Sequence, residues 1–166
     1  MPLKAKKILA RYRGKSLEES ALNNVVQEFP EGKDRDALVK VRVNQSFFRN
    51  AVLASYNNHC CITGIEVPEL LVAGHIIPWA ENTKERVNPA NGLCLNALHD
   101  KAFDKGLMTI TPDYVVKLSS ELSKNLIKNS SETFFRPFEG KRISLPQKFV
   151  PKMECLEYHN RVIFKP

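Results

Sequence analysis

Five residues in the middle of this 166-residue chain carry side chains suited to proton transfer or to holding a hard cation: His75, Asn91, His99, Asp100 and Asp104. Asn91 follows His75 by sixteen positions and Asp100 follows Asn91 by nine. Histidine titrates near neutral pH and can take a proton from water. Aspartate supplies hard oxygen, which matches Mg²⁺, a cation that accepts carboxylates and keeps several waters. Each residue also has a plainer reading. His75 could be a half-buried histidine at a strand end, Asn91 the first half of an Asn-Gly turn, and Asp104 a cap or a partner of Lys101 or Lys105.

The surrounding elements would have to bring these residues together. An apolar run at Leu70–Ala73 leads into Gly74 and His75 and predicts a strand, followed by a Pro78–Trp79 break and a polar loop. Residues beyond Asn91 return as a second strand and then a short helix carrying His99, Asp100 and Asp104. Adjacent helical residues point about 100° apart, so His99 and Asp100 cannot easily face one ion. Asp100 and Asp104, four apart, share a face. Upstream, Ser16 with Glu19 reads as a capping box opening a helix that stops at Pro30. Residues 31–36 read as a charged turn and 37–43 as a short strand or extended connector. Asn44 reads as the cap of a helix to Tyr56 with Phe48, Val52 and Tyr56 on one face. His59 to Gly64 predicts a β-turn region. Downstream, two β-rich runs flank Pro112–Asp113 as a hairpin. A short helix is expected within 119–128, a docking segment at 134–138, and a last helix with Pro151 in its first turn, ending near Arg161.

The order and the words around it (CITG, PELL, HIIPW, NPANGL, FDKGL) resemble the HNH, or ββα-metal, nucleases, in the branch of restriction and phage-defence endonucleases. The resemblance implies an α+β fold: a ββα-metal core with flanking helices and a short β-hairpin. The chain reads as one compact domain overall, made of a basic arm and helix (1–45), a nuclease core (46–125) and a C-terminal docking segment and helix (126–166). The resemblance implies His75 as general base, Asn91 as a brace of the loop, and Asp100 as principal ligand of one Mg²⁺ or Mn²⁺, with His99 second and Asp104 beside it. Hydrolysis would leave 5′-phosphate and 3′-hydroxyl ends. Many relatives carry a metal-binding aspartate directly before the histidine, where this chain has Gly74, so the carboxylate must come from elsewhere.

Charge points to the same partner. A net charge of +7 favours polyanions, because each Lys or Arg set against a phosphate releases counterions. Lys4, Lys6, Lys7, Arg11, Arg13 and Lys15 sit in the first fifteen residues without one acid, which reads as a DNA-contacting arm. Arg86 is either a phosphate clamp or a surface residue paired with Glu81 or Glu85. Four cysteines without a CxxC pair speak against structural zinc, although Cys155 and His159 stand four apart. No run of about 18 apolar residues or signal-peptide core is present, so a cytoplasmic protein without a membrane span is expected. The reading is a metal-dependent DNA endonuclease, with a homodimer and a separate sensor or regulatory protein left open as partners. Its rivals are a catalytically silent nucleic-acid-binding module of the same fold and a nuclease effector governed by that sensor.

Overall fold

Lys33–Ser55 is one helix, α1. The computed structural model describes residues 33–126 and 130–166, with side chains from Val43 onward apart from 127–131. The expected turn, connector and cap over residues 31–44 are therefore corrected: Lys33 onward is helical and Asn44 lies inside the helix. Half-alternation over seven residues fits a helix as well as a strand, since Val39 and Val43 are four apart. With neither Gly nor Pro between Lys33 and Ser55, propagation adds a hydrogen bond per residue and wins. The expected face is real, with Phe48, Val52 and Tyr56 all buried. The capping box at Ser16 and the basic arm lie outside the described residues. Residues 41–166 make one compact unit, and residues 33–40 are the described part of another.

A turn over residues 61–63 closes at Gly64, whose φ of +75° is a left-handed conformation that glycine adopts freely. The 3₁₀ turn Pro68–Leu70 then feeds β1 (Leu71–His75). β1 pairs antiparallel with β2 (Gly92–Asn96) in a register that sets His75 opposite Gly92 and Leu71 opposite Asn96. Every residue of β2 is buried. It passes directly into α2 (Ala97–Asp104), because Asn96 ends the strand and caps the helix by accepting from the His99 N–H at 2.9 Å. α2 packs on both strands, which completes the ββα core.

The rest of the unit buttresses that core. The hairpin β3 (Met108–Ile110) and β4 (Val116–Leu118) forms as its composition predicts. Ser119 caps α3 (Ser120–Asn125), and a helical turn, α4 (Ser130–Thr133), precedes the 3₁₀ turn Arg136–Phe138. Phe135 docks into the core as expected of that segment. α5 (Met153–Tyr158) runs on as one π-helical turn, His159–Ile163; Pro151 precedes the helix rather than occupying its first turn. The main chain of Ile163 lies where any side chain on Gly106 would be, so the glycine after α2 is needed for close approach as well as for its φ of +69°.

His159 anchors this C-terminal piece. It is 1% exposed, its Nδ1 lies 2.8 Å from the Thr109 hydroxyl and its Nε2 3.2 Å from the Phe103 carbonyl, with its ring stacked on Phe103. Burial pushes its pKa down from 6.5 to about 4, against the pull of the Phe103 carbonyl. The native state therefore binds fewer protons than the unfolded chain between those values, so stability falls as pH drops from 6.5 through 4. Urea unfolding at pH 7 and pH 4 should show a loss on the order of 3 kcal/mol from this group. His159→Gln, less stable at pH 7, should lack that increment; an equal pH dependence in both proteins would refute the assignment.

Candidate active site

His75 closes β1 half-buried, held on three sides. Its Nε2 lies 2.9 Å from the carbonyl of Arg86. A carbonyl only accepts, so Nε2 carries the hydrogen and the neutral ring keeps its lone pair on Nδ1. Phe48 lies flat on the imidazole at 3.7 Å between centroids and 10° between planes, and Trp79 meets its edge at 5.6 Å. Burial lowers the pKa of His75, while the Arg86 carbonyl and the charge of Asp104 pull it upward. The lone pair therefore persists at neutral pH.

Asn91 is 1% exposed with its carboxamide fully used. Oδ1 accepts from the Ile77 N–H at 2.8 Å, and Nδ2 donates to the carbonyls of Ile77 at 3.1 Å and Glu85 at 3.3 Å. Its own carbonyl takes the N–H of Ile76 at 2.9 Å. Asn91 thus ties both ends of the loop that leaves His75. Asn-Gly does not make a hairpin turn here: Asn91 ends the 3₁₀ turn Pro89–Asn91, and Gly92, with φ −131°, is ordinary extended chain.

Asp100 and Asp104 occupy α2, one turn apart. A Cβ built on Gly74 would stand 2.5 Å from Oδ1 of Asp100, so the Asp100 carboxylate fills the space above the glycine. Burial, then the neighbouring charge of Asp104, raises the Asp100 pKa to about 6, with Lys101 acting weakly the other way. Consecutive strand residues face opposite sides. His75 accordingly leaves β1 toward α1, while Asp100 covers Gly74 from α2, and the charge of Asp104 reaches both. No described residue forms an ion pair with either carboxylate. Asp104 therefore does not pair with Lys101 or Lys105 among the described residues.

His99 belongs to a different place. It is 2% exposed, and both ring nitrogens are engaged: Nδ1 at 2.9 Å from Asn96 Nδ2, and Nε2 at 2.8 Å from the carbonyl of Phe134. Phe135 and Phe138 meet its ring edge-on. With no lone pair to spare, it ties α2 to the docking segment. Arg86 departs from its reading as a surface partner of Glu81 or Glu85. Its Nε donates to the Trp79 carbonyl at 2.7 Å and its guanidinium lies over the Trp79 ring, with no acid within ion-pair range among the described residues. Its main-chain carbonyl is the partner of His75 Nε2.

Sequence reading missed three contributors. Phe48 supports the imidazole. Glu85 accepts from Asn88 at 2.6 Å and pairs with Lys152 at 2.8 Å, tying the loop to the C-terminal segment. Asn96 joins Cys60, Thr63 and His99. No spacing rule marks residues so far apart in the chain. All four cysteines are free and buried, and both nitrogens of His159 are used, so Cys155 and His159 form no ligand pair. Among the described residues no three His, Cys, Asp or Glu side chains converge closely enough to hold a metal ion unaided. The half-buried carboxylate of Asp100, with the exposed one of Asp104 a turn away, nonetheless suits a cation that would complete its shell with water and phosphate oxygens.

This charge carries a stability cost that can be measured. The native state holds the Asp100 proton up to about pH 6, whereas an unfolded carboxyl releases it near 3.8. Stability contributed by the neutral form is thus lost as pH rises from 3.8 to 6. Screening at this partly solvated position leaves on the order of 1 kcal/mol. Asp100→Asn in EDTA should melt about 2–4 °C higher than the parent at pH 7 and show no gain near pH 4. Identical melting at pH 7 would mean that the carboxylate is already neutralised.

Comparison with known proteins places this geometry. Residues 60–111 match the HNH endonuclease family model. One solved structure, described as a modification dependent TagI restriction endonuclease, is 22% identical, with a TM-score of 0.48 over 68% of this chain and 35% of that one. The chain thus spans about a third of that protein's length. No curated protein matches. The matched segment contains β1, β2 and α2, and with them His75, Asn91, Asp100 and Asp104. Over residues 60–111, about a third of its length, this chain is similar to the HNH endonucleases.

Proposed function

We propose that the chain is a metal-dependent DNA endonuclease acting in restriction or phage defence, with His75 as general base and Asp100 as principal metal ligand. The observation that carries this reading is the bond from His75 Nε2 to the Arg86 carbonyl, which leaves Nδ1 with a lone pair within reach of the Asp104 charge, itself one turn from Asp100. Nδ1 takes the proton of the attacking water. The Arg86 carbonyl and the charge of Asp104 favour the imidazolium that results. Asn91 keeps the loop, and with it the Arg86 carbonyl, in place. Asp100, assisted by Asp104, would hold Mg²⁺ or Mn²⁺, which when bound polarises the scissile phosphate and neutralises the departing 3′ oxygen.

Gly74 does not argue for a silent module. The space vacated by an aspartate at that position is taken by the carboxylate of Asp100, which supplies the same chemistry from α2. One such site cuts one strand, so a double-strand break takes two copies or two events. We read residues 1–45 as arm and helix, 46–125 as core and 126–166 as docking segment.

With plasmid DNA and Mg²⁺ or Mn²⁺, His75→Ala should lose most of the roughly 10²–10⁴-fold that general-base catalysis supplies, with fold and DNA affinity retained. Asp100→Ala should abolish metal-dependent cleavage and weaken Mn²⁺ binding in calorimetry. His99→Ala should instead lower the melting temperature and leave metal affinity intact, because it removes a buried hydrogen-bonded ring. Cleavage by His75→Ala at the parent rate would end the base assignment.

Arg86 and the basic residues Lys4, Lys6, Lys7, Arg11, Arg13 and Lys15 are proposed to contact DNA phosphates. Each phosphate contact adds about 0.9 to the slope of log K against log salt. Deleting residues 1–15 should weaken binding to all sequences alike and flatten that slope, with cleavage of saturated substrate little changed. Titrations of both proteins at several salt concentrations decide this, and an unchanged slope would remove the arm from the interface.

A further inference from the structure

We infer that Phe48, on α1 and outside the segment matched to the nuclease family, is a positioning residue for the reaction: its ring is the plate on which the His75 imidazole is set. The inference rests on His75 being the base proposed above. Three observations carry it. The two rings are stacked at 3.7 Å and 10°, closer and flatter than any other aromatic contact of His75. Phe48 is 2% exposed, so its ring is confined by the core. The backbone of β2 is also shaped to admit it. A Cβ on Gly92 would meet Cζ of Phe48 at 2.9 Å and collide with Val52, although the φ of −131° at Gly92 would suit any residue. The glycine opposite His75 is there to let α1 close on the ribbon.

α1 is fixed in that position beside Phe48. Arg49 Nη1 donates to the Leu71 carbonyl at 2.9 Å and Nη2 to the Pro68 carbonyl at 3.4 Å, so the helix is bound to the start of β1. A single hydrogen bond to Arg86 leaves an imidazole free to swing about the Nε2–O axis. A flat ring against one face removes that freedom and fixes the direction of the Nδ1 lone pair. Trp79 adds a second, perpendicular ring contact at 5.6 Å. Misplacement of a reacting group by about 1 Å costs up to roughly 10²-fold in rate.

The experiment compares Phe48→Leu, which keeps an apolar side chain without a flat face, with Val52→Ala, which loosens the same helix face one turn away without touching His75. Phe48→Leu should lower kcat about 10- to 100-fold with KM and DNA affinity unchanged. Val52→Ala, destabilised comparably in urea, should keep the parent kcat. Equal losses in both variants, or an unchanged kcat in Phe48→Leu, would overturn the inference. Should Phe48→Leu fail to fold, Phe48→Met replaces it. A second measurement is independent of cleavage: the His75 Cε1 proton, assigned with His75→Ala, should lie upfield under the Phe48 ring current and return downfield in Phe48→Leu. If the parent protein does not cut DNA with Mg²⁺ or Mn²⁺, the nuclease reading fails separately. The proton shift then decides the placement, and an unshifted resonance would overturn it.

Discussion

A buried carboxamide with no access to water holds this fold to its geometry. Asn91 can remain in the interior only if its oxygen and its amide hydrogens find partners, since each buried group left unpaired costs about 1–3 kcal/mol. Its partners are the main chain at Ile77 and Glu85, the two ends of the excursion that follows His75. Satisfying one side chain therefore closes a loop. The closed loop brings the Arg86 carbonyl to the imidazole. The tautomer of His75, and hence the direction of its lone pair, follows from a side chain whose own hydrogen bonds go to Ile77 and Glu85.

The second constraint is shape at two glycines, each used for the space it leaves. Gly74 yields its volume to the Asp100 carboxylate, and Gly92 yields its volume to Phe48 and Val52. Helices on opposite sides of a two-stranded ribbon thereby come within contact of consecutive positions on one strand. One delivers a carboxylate and the other a flat apolar ring. The same carboxylate placement is unfavourable without a cation, as the raised Asp100 pKa shows. Local instability of this kind is common where a site is made ready for a ligand.

A two-stranded ribbon with a short helix has little interior of its own, and the C-terminal third supplies the rest. Lys152 pairs with Glu85, and its N–H donates to the Ala90 carbonyl at 2.9 Å, so the segment before α5 grips the loop that Asn91 closes. His99 binds Phe134 from α2, and His159 stacks on Phe103 beneath it. Two of the four histidines in the chain are thus buried connectors. Their chemistry is that of a polar group satisfied in an apolar surrounding.

Sequence alone determined the order of elements around the site and the identity of its chemical groups. The His75 strand, the helix bearing Asp100 and Asp104, the hairpin around Pro112 and the apolar face of Phe48, Val52 and Tyr56 are local patterns, set by residues a few positions apart. Local pattern was ambiguous over residues 33–44, where strand and helix periods overlap and helix continuity prevailed. Tertiary structure alone decided which neighbour each group meets. His99 and Asp100 are adjacent in the chain, yet one is sealed between Asn96 and Phe134 and the other lies on Gly74. Arg86 acts through a carbonyl that every residue possesses, so no side-chain signal could announce it. Phe48, Glu85 and Lys152 reach the site from separate elements, and only packing in three dimensions, where contact is independent of sequence separation, brings them to His75 and its loop.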